Sequence, residues 1–281
     1  MYQALAPGAI GVKASFEQAV EMAAKHGFKG ISVDMGPVES LGLETVREML
    51  AAHHLLPALT GMPVNFRQDE AKFEEGMAGL PHFAETMAAL GCTRAATWLM
   101  PWHETLSYQE NFEQLRRRTK RICQVLQSYG LRYGLEYVGP ATMRKGRPNP
   151  FIHNLDQLLD LIAAVDEGNL GVLLDSYHWY AAGEDASDLA KLSDRLVVVV
   201  HVNDAPVGVP REEQMDNVRG MPGETGVIDI RTFLGALEQM GYTGPVMAEP
   251  FSERVRQLPP DEAVAATAES MNKIWQIAGL Q

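Results

Sequence analysis

Short apolar runs alternate along this sequence with longer segments in which apolar residues recur every three or four positions. The short runs are typical of buried strands, and the longer segments are typical of amphipathic helices. The alternation repeats eight times. The predicted strands are residues 4–12, 30–35, 56–62, 94–100, 133–138, 170–175, 196–202 and 245–249. The predicted helices are residues 15–26, 40–54, 69–90, 108–129, 154–166, 185–192, 229–240 and 260–278.

Residues with capping chemistry mark several of these boundaries. Ser15 and Asn154 begin predicted helices, and their side chains can accept hydrogen bonds from the free N–H groups of a first turn. Gly27, Gly91 and Gly130 follow predicted helices, where a left-handed residue commonly ends the last turn. These signals separate several of the predicted helices from their neighbouring strands.

The repeat predicts the fold class. Each unit takes about 35 residues, the length of one strand, one helix and their connections. The run Leu-Val-Val-Val-Val at residues 196–200 is apolar throughout, as a strand buried on both faces of a parallel sheet requires. The pattern therefore predicts a single (β/α)8 TIM barrel domain spanning residues 1–281. An open doubly wound sheet is the alternative, but no glycine-rich turn follows the first strand to support it.

The charge balance narrows the range of partners. The 281 residues include 24 basic and 36 acidic side chains, a formal net charge of −12. Such a chain is repelled by the phosphates of nucleic acids and by anionic membrane surfaces, so neither is expected as a partner. No apolar run approaches the roughly 20 residues that span a bilayer, and the first residues do not resemble an export signal. We therefore expect a cytoplasmic protein.

Ionisable residues end four consecutive predicted strands. Glu136, Asp175, His201 and Glu249 lie at the carboxyl ends of the fifth to eighth strands. In a barrel these ends meet at one rim, where the reactive groups of such folds lie. Three converging carboxylates repel one another unless a cation lies among them, so we predict one divalent metal ion. Oxygen ligands predominate, which favours Mn²⁺ over Co²⁺, Mg²⁺ or Zn²⁺.

Several motifs carry a family resemblance. They are Gly-Leu-Glu136, Leu-Leu-Asp175-x-x-His178, His201-x-x-Asp204, the glycine-rich loop from Arg219 to Gly226, and Glu249-Pro. Together they resemble the xylose isomerase-like TIM barrel superfamily, and within it the sugar phosphate isomerase/epimerase group that includes ketose 3-epimerases. The loop sequence Pro-Gly-Glu-Thr-Gly is one residue longer than the Pro-Gly-x-Gly form of that group.

The resemblance implies roles for individual residues. Glu136 and Glu249 would bind the metal and also transfer protons, and Asp175 and His201 would complete the ligand set. His178 and Arg219 would contact substrate oxygens. The implied enzyme is a metal-dependent isomerase or epimerase that acts on a sugar, or on a keto acid or keto-polyol derived from one, through a metal-stabilised enediolate.

Other outcomes share the same set of residues. Loss of a β-hydroxyl from the enediolate would make the protein a dehydratase, which is the main alternative; cleavage of a C–C or C-glycoside bond is a lesser one. An endonuclease IV-like nuclease would need a histidine that the segment Asp216-Asn-Val218 lacks. A carbohydrate-binding barrel without catalysis is the remaining class.

Two further features lie near the predicted rim. Trp102 follows the fourth strand, where an aromatic face could cover the apolar face of a sugar ring. Arg144, Lys145 and Arg147 form a basic cluster after the fifth strand. Arg144 and Arg147 could bind a phosphate or carboxylate of the substrate, and a solvated loop or a subunit contact is the alternative. The resemblance also implies a homo-oligomer, either a dimer or a tetramer.

Overall fold

Eight parallel strands close into a barrel in the computed structural model, which describes residues 1–280. Each strand pairs with its neighbours in chain order, and the eighth pairs with the first. This closed order confirms the (β/α)8 barrel and excludes the open sheet. The strands are β1 (Tyr2–Leu5), β2 (Gly30–Ser32), β3 (Leu56–Gly61), β4 (Arg94–Trp98), β5 (Arg132–Glu136), β6 (Leu170–Asp175), β7 (Val197–Val202) and β8 (Pro245–Ala248).

Helices surround the barrel and bury their apolar faces against it. They are α1 (Phe16–Lys25), α2 (Met35–Leu41), α3 (Leu43–Ala52), α4 (Glu70–Leu90), α5 (Tyr108–Ser128), α6 (Leu155–Val165), α7 (Ser176–Ala182), α8 (Ala186–Leu189), α9 (Ile230–Gln239), α10 (Glu253–Arg256) and α11 (Pro260–Ala278). The predicted caps are present: Ser15 Oγ accepts from the Gln18 N–H, and Asn154 Oδ1 accepts from the Gln157 N–H.

The first strand is shorter than predicted. The sequence pattern extends it over residues 4–12, but β1 ends at Leu5. Pro7 has no N–H group for a strand ladder, and residues 7–11 form a turn in which the Ala9 N–H donates to the Ala6 carbonyl. Gly11 ends this turn with a φ of 74°, a conformation that glycine adopts without steric cost.

Three short helices were not predicted as separate elements. Helix α2 lies mostly between the predicted strand at residues 30–35 and the predicted helix at residues 40–54, and Gly42, with a φ of 88°, separates it from α3. Helices α7 and α10 lie in segments read as strand-to-helix connections. Of these, α7 matters most for the site, because it begins immediately after the last residue of β6.

Strand register brings the predicted site residues together. In the β6–β7 pair, Asp175 is opposite His201, and in the β7–β8 pair, Val202 is opposite Ala248, one residue before Glu249. Small residues including Ala4, Ala58 and Ala96 occupy the barrel interior, and they leave the carboxyl-end rim to the polar side chains. Within residues 1–280, no helix combines the length and apolar character needed to cross a membrane.

Candidate metal centre

Four side chains converge at the carboxyl ends of consecutive strands. Glu136 ends β5, Asp175 ends β6, His201 lies near the end of β7, and Glu249 follows β8. Each offers one ligand atom, and these atoms all lie within 4.8 Å of one another. The spacing matches that of donors around one shared ion. These are the four residues that the sequence predicts as ligands.

Two buried atoms in this cluster lack the partners that buried polar atoms normally have. Among the described residues, Glu136 Oε1 and His201 Nδ1 find no hydrogen-bond partner, although they lie only 3.8 Å apart. His201 Nδ1 also lies 3.5 Å from Glu249 Oε2. A buried polar atom without a hydrogen-bond partner is energetically costly. Carboxylate oxygens and imidazole nitrogens are also common ligands of divalent metal ions. The residues present therefore fit a divalent metal ion.

The electrostatics of the cluster point the same way. Burial, together with the negative charges of Glu249 and Asp175, raises the pKa of Glu136 well above its ordinary value. Burial would also raise the pKa of Asp175, but the guanidinium of Arg219 holds it below its ordinary value. The single positive charge of Arg219 compensates the charge of one carboxylate only. A divalent cation would reduce the repulsion among the remaining carboxylates.

Arg219 lies in the middle of the carboxylates. Its Nη1 is 2.9 Å from Asp175 Oδ2 and 3.1 Å from Glu249 Oε2. Its Nη2 is 2.8 Å from Asp216 Oδ1, and its Nε donates to the Asp216 carbonyl at 2.7 Å. The rings of Tyr177 and Phe251 lie 4.6 Å and 4.7 Å from the guanidinium carbon. Arg219 is therefore held beside the predicted ligands through hydrogen bonds to three carboxylates.

His178 faces the same space from helix α7. Its Nε2 lies 3.9 Å from Glu136 Oε1 and 3.8 Å from Asp216 Oδ1. Burial lowers the pKa of His178, which favours a neutral ring. The Gly139 N–H donates to Nδ1 at 3.3 Å, and Nη2 of Arg219 lies 3.4 Å from Nε2. We assign the proton of the neutral ring to Nε2 on the shorter of these contacts. That N–H can donate to an oxygen in the cavity.

Two supporting residues were missed as site residues from the sequence. Asp216 lines the cavity and holds Arg219. Asn203 is fully buried, donates to both oxygens of Asp175 at 3.0 Å and 3.2 Å, and is oriented by Ser176. Asn203 lies inside the motif His201-x-Asn-Asp204, which offered a signal. Asp216 had none, because its role depends on the fold of a long loop.

The cavity above the cluster measures about 260 Å³. Its polar floor is formed by Glu136, His178, Asp216, Arg219 and Glu249. Its walls are apolar and are formed by Trp98, Val138, Met143 and Phe251. Phe251 adopts a φ of 42°, which is strained for a bulky residue and typical of functional sites. The arrangement can hold a small molecule with one polar and one apolar side.

The other predicted substrate residues lie elsewhere on the rim. Trp102 lines a separate cavity of about 200 Å³ with Phe66 and Leu99. Arg147 stacks on the Trp102 ring at 4.8 Å. Arg144 donates to the carbonyls of Gly139 and Pro140 at 2.8 Å and 3.2 Å. The structure thus brings together Glu136, Asp175, His178, His201, Arg219 and Glu249, but not these three residues.

Comparison with known proteins agrees with the fold. The family model for the xylose isomerase-like TIM barrel matches residues 20–274, so the chain belongs to that family. A structure of a xylose isomerase domain protein from Alicyclobacillus acidocaldarius shares 31% identity and a TM-score of 0.89 over 99% of both chains. A structure of the IolI protein with a bound zinc atom shares the fold, with a TM-score of 0.84 over 99% of both chains at 21% identity.

Several curated relatives are enzymes. An inosose isomerase from Bacillus velezensis is 23% identical over 92% of both chains. A ketose 3-epimerase from Arthrobacter globiformis is 23% identical over 92% of this chain and 82% of its own. A 3-dehydroshikimate dehydratase from Pseudomonas aeruginosa is 31% identical over 46% of this chain, a match that covers 19% of the dehydratase.

Proposed function

We propose that the protein is a metal-dependent isomerase or epimerase of a sugar or of a related keto-polyol. The observation that carries the proposal is the buried cluster of Glu136, Asp175, His201 and Glu249, with two atoms that lack partners. The inosose isomerase and ketose 3-epimerase relatives, which span most of the chain, support the reaction class. Both of those names describe rearrangement of a polyhydroxy ketone.

The four cluster residues would hold one divalent metal ion, and Mn²⁺ is our preferred identity because three of the four ligands are carboxylates. When bound, the metal supplies Lewis acidity that makes the C–H bond beside a ketone easier to ionise. Proton transfer and substrate orientation would be carried out by side chains of the protein.

Two carboxylates would move the proton. Glu136 and Glu249 come from β5 and β8, so they approach the cavity from different sides of the rim. One would remove the α-proton and create an enediolate. The other would return a proton to the opposite face of the same carbon, which inverts the configuration of that carbon. Return by the same carboxylate to the neighbouring carbon would give isomerisation. His178 Nε2–H would donate a hydrogen bond to a substrate oxygen, and Arg219 would keep Asp175 and Glu249 in place.

The proposal is tested by hydrogen exchange in D₂O. The metal-loaded protein is incubated with a panel of ketoses, inososes and keto acids, and deuterium uptake at the α-carbon is measured together with the products. Glu136→Gln and Glu249→Gln should each slow exchange by at least about 100-fold, because each removes a base while keeping the side-chain size. Glu213→Gln, at an exposed position of the β7–α9 loop, is the matched control. Fast exchange in both site variants, with metal retained, would contradict the assignment.

A dehydratase is the second candidate. The partial match to 3-dehydroshikimate dehydratase favours it, because the same enediolate can expel a β-hydroxyl. The exchange experiment separates the two reactions: an isomer or epimer supports the first proposal, and an unsaturated product supports the second.

We also propose a cytoplasmic location and a homo-oligomeric state. Gel filtration with light scattering tests the oligomeric state.

A further inference from the structure

The cavity over the metal cluster has an excess of negative charge. It is lined by the carboxyl groups of Glu136, Asp216 and Glu249, and the fully buried Asp175 lies close to Glu136 and Glu249. Arg219 is the one cation among the residues that line this cavity in the described chain. His178 adds no charge, because its Nδ1 accepts a hydrogen bond from Gly139. Four carboxyl groups therefore surround a single guanidinium at this site.

Arg219 is not free to receive an anion. Its Nε, Nη1 and Nη2 all donate to carboxylates or to a backbone carbonyl, at 2.7 Å to 3.1 Å. The aromatic rings of Tyr177 and Phe251 also lie within 4.7 Å of the guanidinium carbon. An incoming phosphate would have to displace Asp175, Glu249 or Asp216 from these bonds and leave a buried carboxylate unpaired.

The remaining arginines near the rim are engaged elsewhere. Arg67 donates to the Trp98 carbonyl and stacks on the Phe66 and Trp98 rings. Arg144 is bound to two backbone carbonyls of its own loop, and Arg147 lies over Trp102. None of the three lines the cavity over the metal cluster, as far as residues 1–280 define it.

The cavity walls supply apolar surface in place of cations. Trp98 is 39% exposed and lines the cavity together with Val138, Met143 and Phe251. Such a wall fits the C–H face of an uncharged ring or chain, whereas burying a phosphate or carboxylate against it is unfavourable without a compensating charge.

From these observations we infer that the substrate is an electrically neutral polyhydroxy ketone, and that phosphate esters and carboxylic acids are excluded. The inference rests on the proposed function and narrows its substrate class. The competing hypothesis is that Arg144 and Arg147 bind an anionic group of the substrate.

Matched substrates test the inference. The α-proton exchange rate in D₂O is measured for the metal-loaded protein with D-fructose, D-fructose 6-phosphate, a neutral inosose and 3-dehydroshikimate. The neutral members should show kcat/KM values at least 100-fold above their anionic counterparts. Equal or faster exchange of the anionic members would overturn the inference while leaving the proposed function intact. The absence of exchange with all four would contradict the proposed function and the inference with it.

A variant that adds a positive charge tests whether the lack of cations in the cavity excludes anionic substrates. Met143→Lys places a cation on the apolar wall, and Met143→Gln is the neutral control of similar length. Met143→Lys should raise kcat/KM for D-fructose 6-phosphate at least 10-fold relative to Met143→Gln. The same response in both variants would show that missing positive charge is not what excludes the anion, and would contradict the inference.

Discussion

Arg219 provides the positive charge that allows several buried carboxylates to stay close together. It is 6% exposed and hydrogen bonds to Asp175, Asp216 and Glu249. Removing one partner from a buried ion pair leaves an uncompensated charge, which costs more than the pair itself contributes. The sequence predicted that Arg219 belongs to the site. Its connection to Asp216 could not be predicted, because it depends on the conformation of the β7–α9 loop.

Arg219→Ala should therefore destabilise the metal-free protein by about 3 kcal/mol. Urea unfolding measures the loss, and added divalent metal should reduce it, since the metal would take over part of the charge compensation. Arg254→Ala is the matched control: Arg254 forms an exposed pair with Glu224 at 3.1 Å, and such pairs contribute at most about 1 kcal/mol. Equal unfolding midpoints for the two variants would be inconsistent with the role assigned to Arg219.

At the scale of elements, helix α7 orients His178 through its contact with the loop after β5. A Cβ atom at Gly139 would lie 2.4 Å from the His178 carbonyl oxygen, so the loop can approach α7 only with glycine at this position. The Gly139 N–H also donates to the His178 ring. The predicted strand ends located Glu136 and Asp175, but α7 itself was missed because it follows β6 without a connecting loop.

Gly139→Ala should push on α7 at His178 and misorient its ring, while the hydrogen bonds from Asn203 and Arg219 keep Asp175 in place. We expect kcat for α-proton exchange to fall at least about 10-fold, with metal content unchanged. Gly168→Ala is the control, because a Cβ atom there meets nothing within 4 Å. Full activity of Gly139→Ala, or a loss of metal in that variant, would show that the contact does not act through His178.

Glu184 connects three elements and makes stability depend on pH. It accepts hydrogen bonds from the Tyr137 hydroxyl and, at 2.6 Å, from the Leu155 N–H at the start of α6. Burial raises the pKa of Glu184 from an ordinary value near 4.5 to about 7. Between these values the folded protein keeps a proton that the unfolded chain releases. The free energy of unfolding therefore falls as pH rises from about 4.5 through about 7.

Replacing Glu184 with Gln removes this titration. Relative to Glu184→Gln, the wild-type protein should lose up to about 3 kcal/mol of unfolding free energy between pH 4.5 and pH 8. Urea unfolding at a series of pH values measures the difference, with the exposed Glu213→Gln as a control that should follow the wild type. Parallel pH profiles for the wild type and Glu184→Gln would rule out a raised pKa.

At the scale of the whole molecule, the repeat of apolar strands and amphipathic helices was sufficient to predict the closed barrel. Burial on both faces makes the run Val197–Val200 of β7 apolar, and the four predicted ligands follow from their places at strand ends. The conformation of the long β7–α9 loop could not be predicted from this pattern. Asp204 organises it by accepting from the N–H groups of Thr225, Gly226 and Ile228, contacts that span 21 to 24 residues. The expectation of a single domain stays a prediction.

A metal bound by the residues at the ends of β5, β6, β7 and β8 would connect half of the barrel strands. Binding should therefore stabilise the fold as well as activate the enzyme. The most direct test of this account is calorimetric titration of the metal-free protein with Mn²⁺. We predict one site per chain in the wild type, at least a 100-fold weaker affinity in His201→Ala, and an unchanged affinity in His103→Ala, whose histidine lies outside the cluster. One site of undiminished affinity in His201→Ala would contradict the metal centre and the function proposed from it.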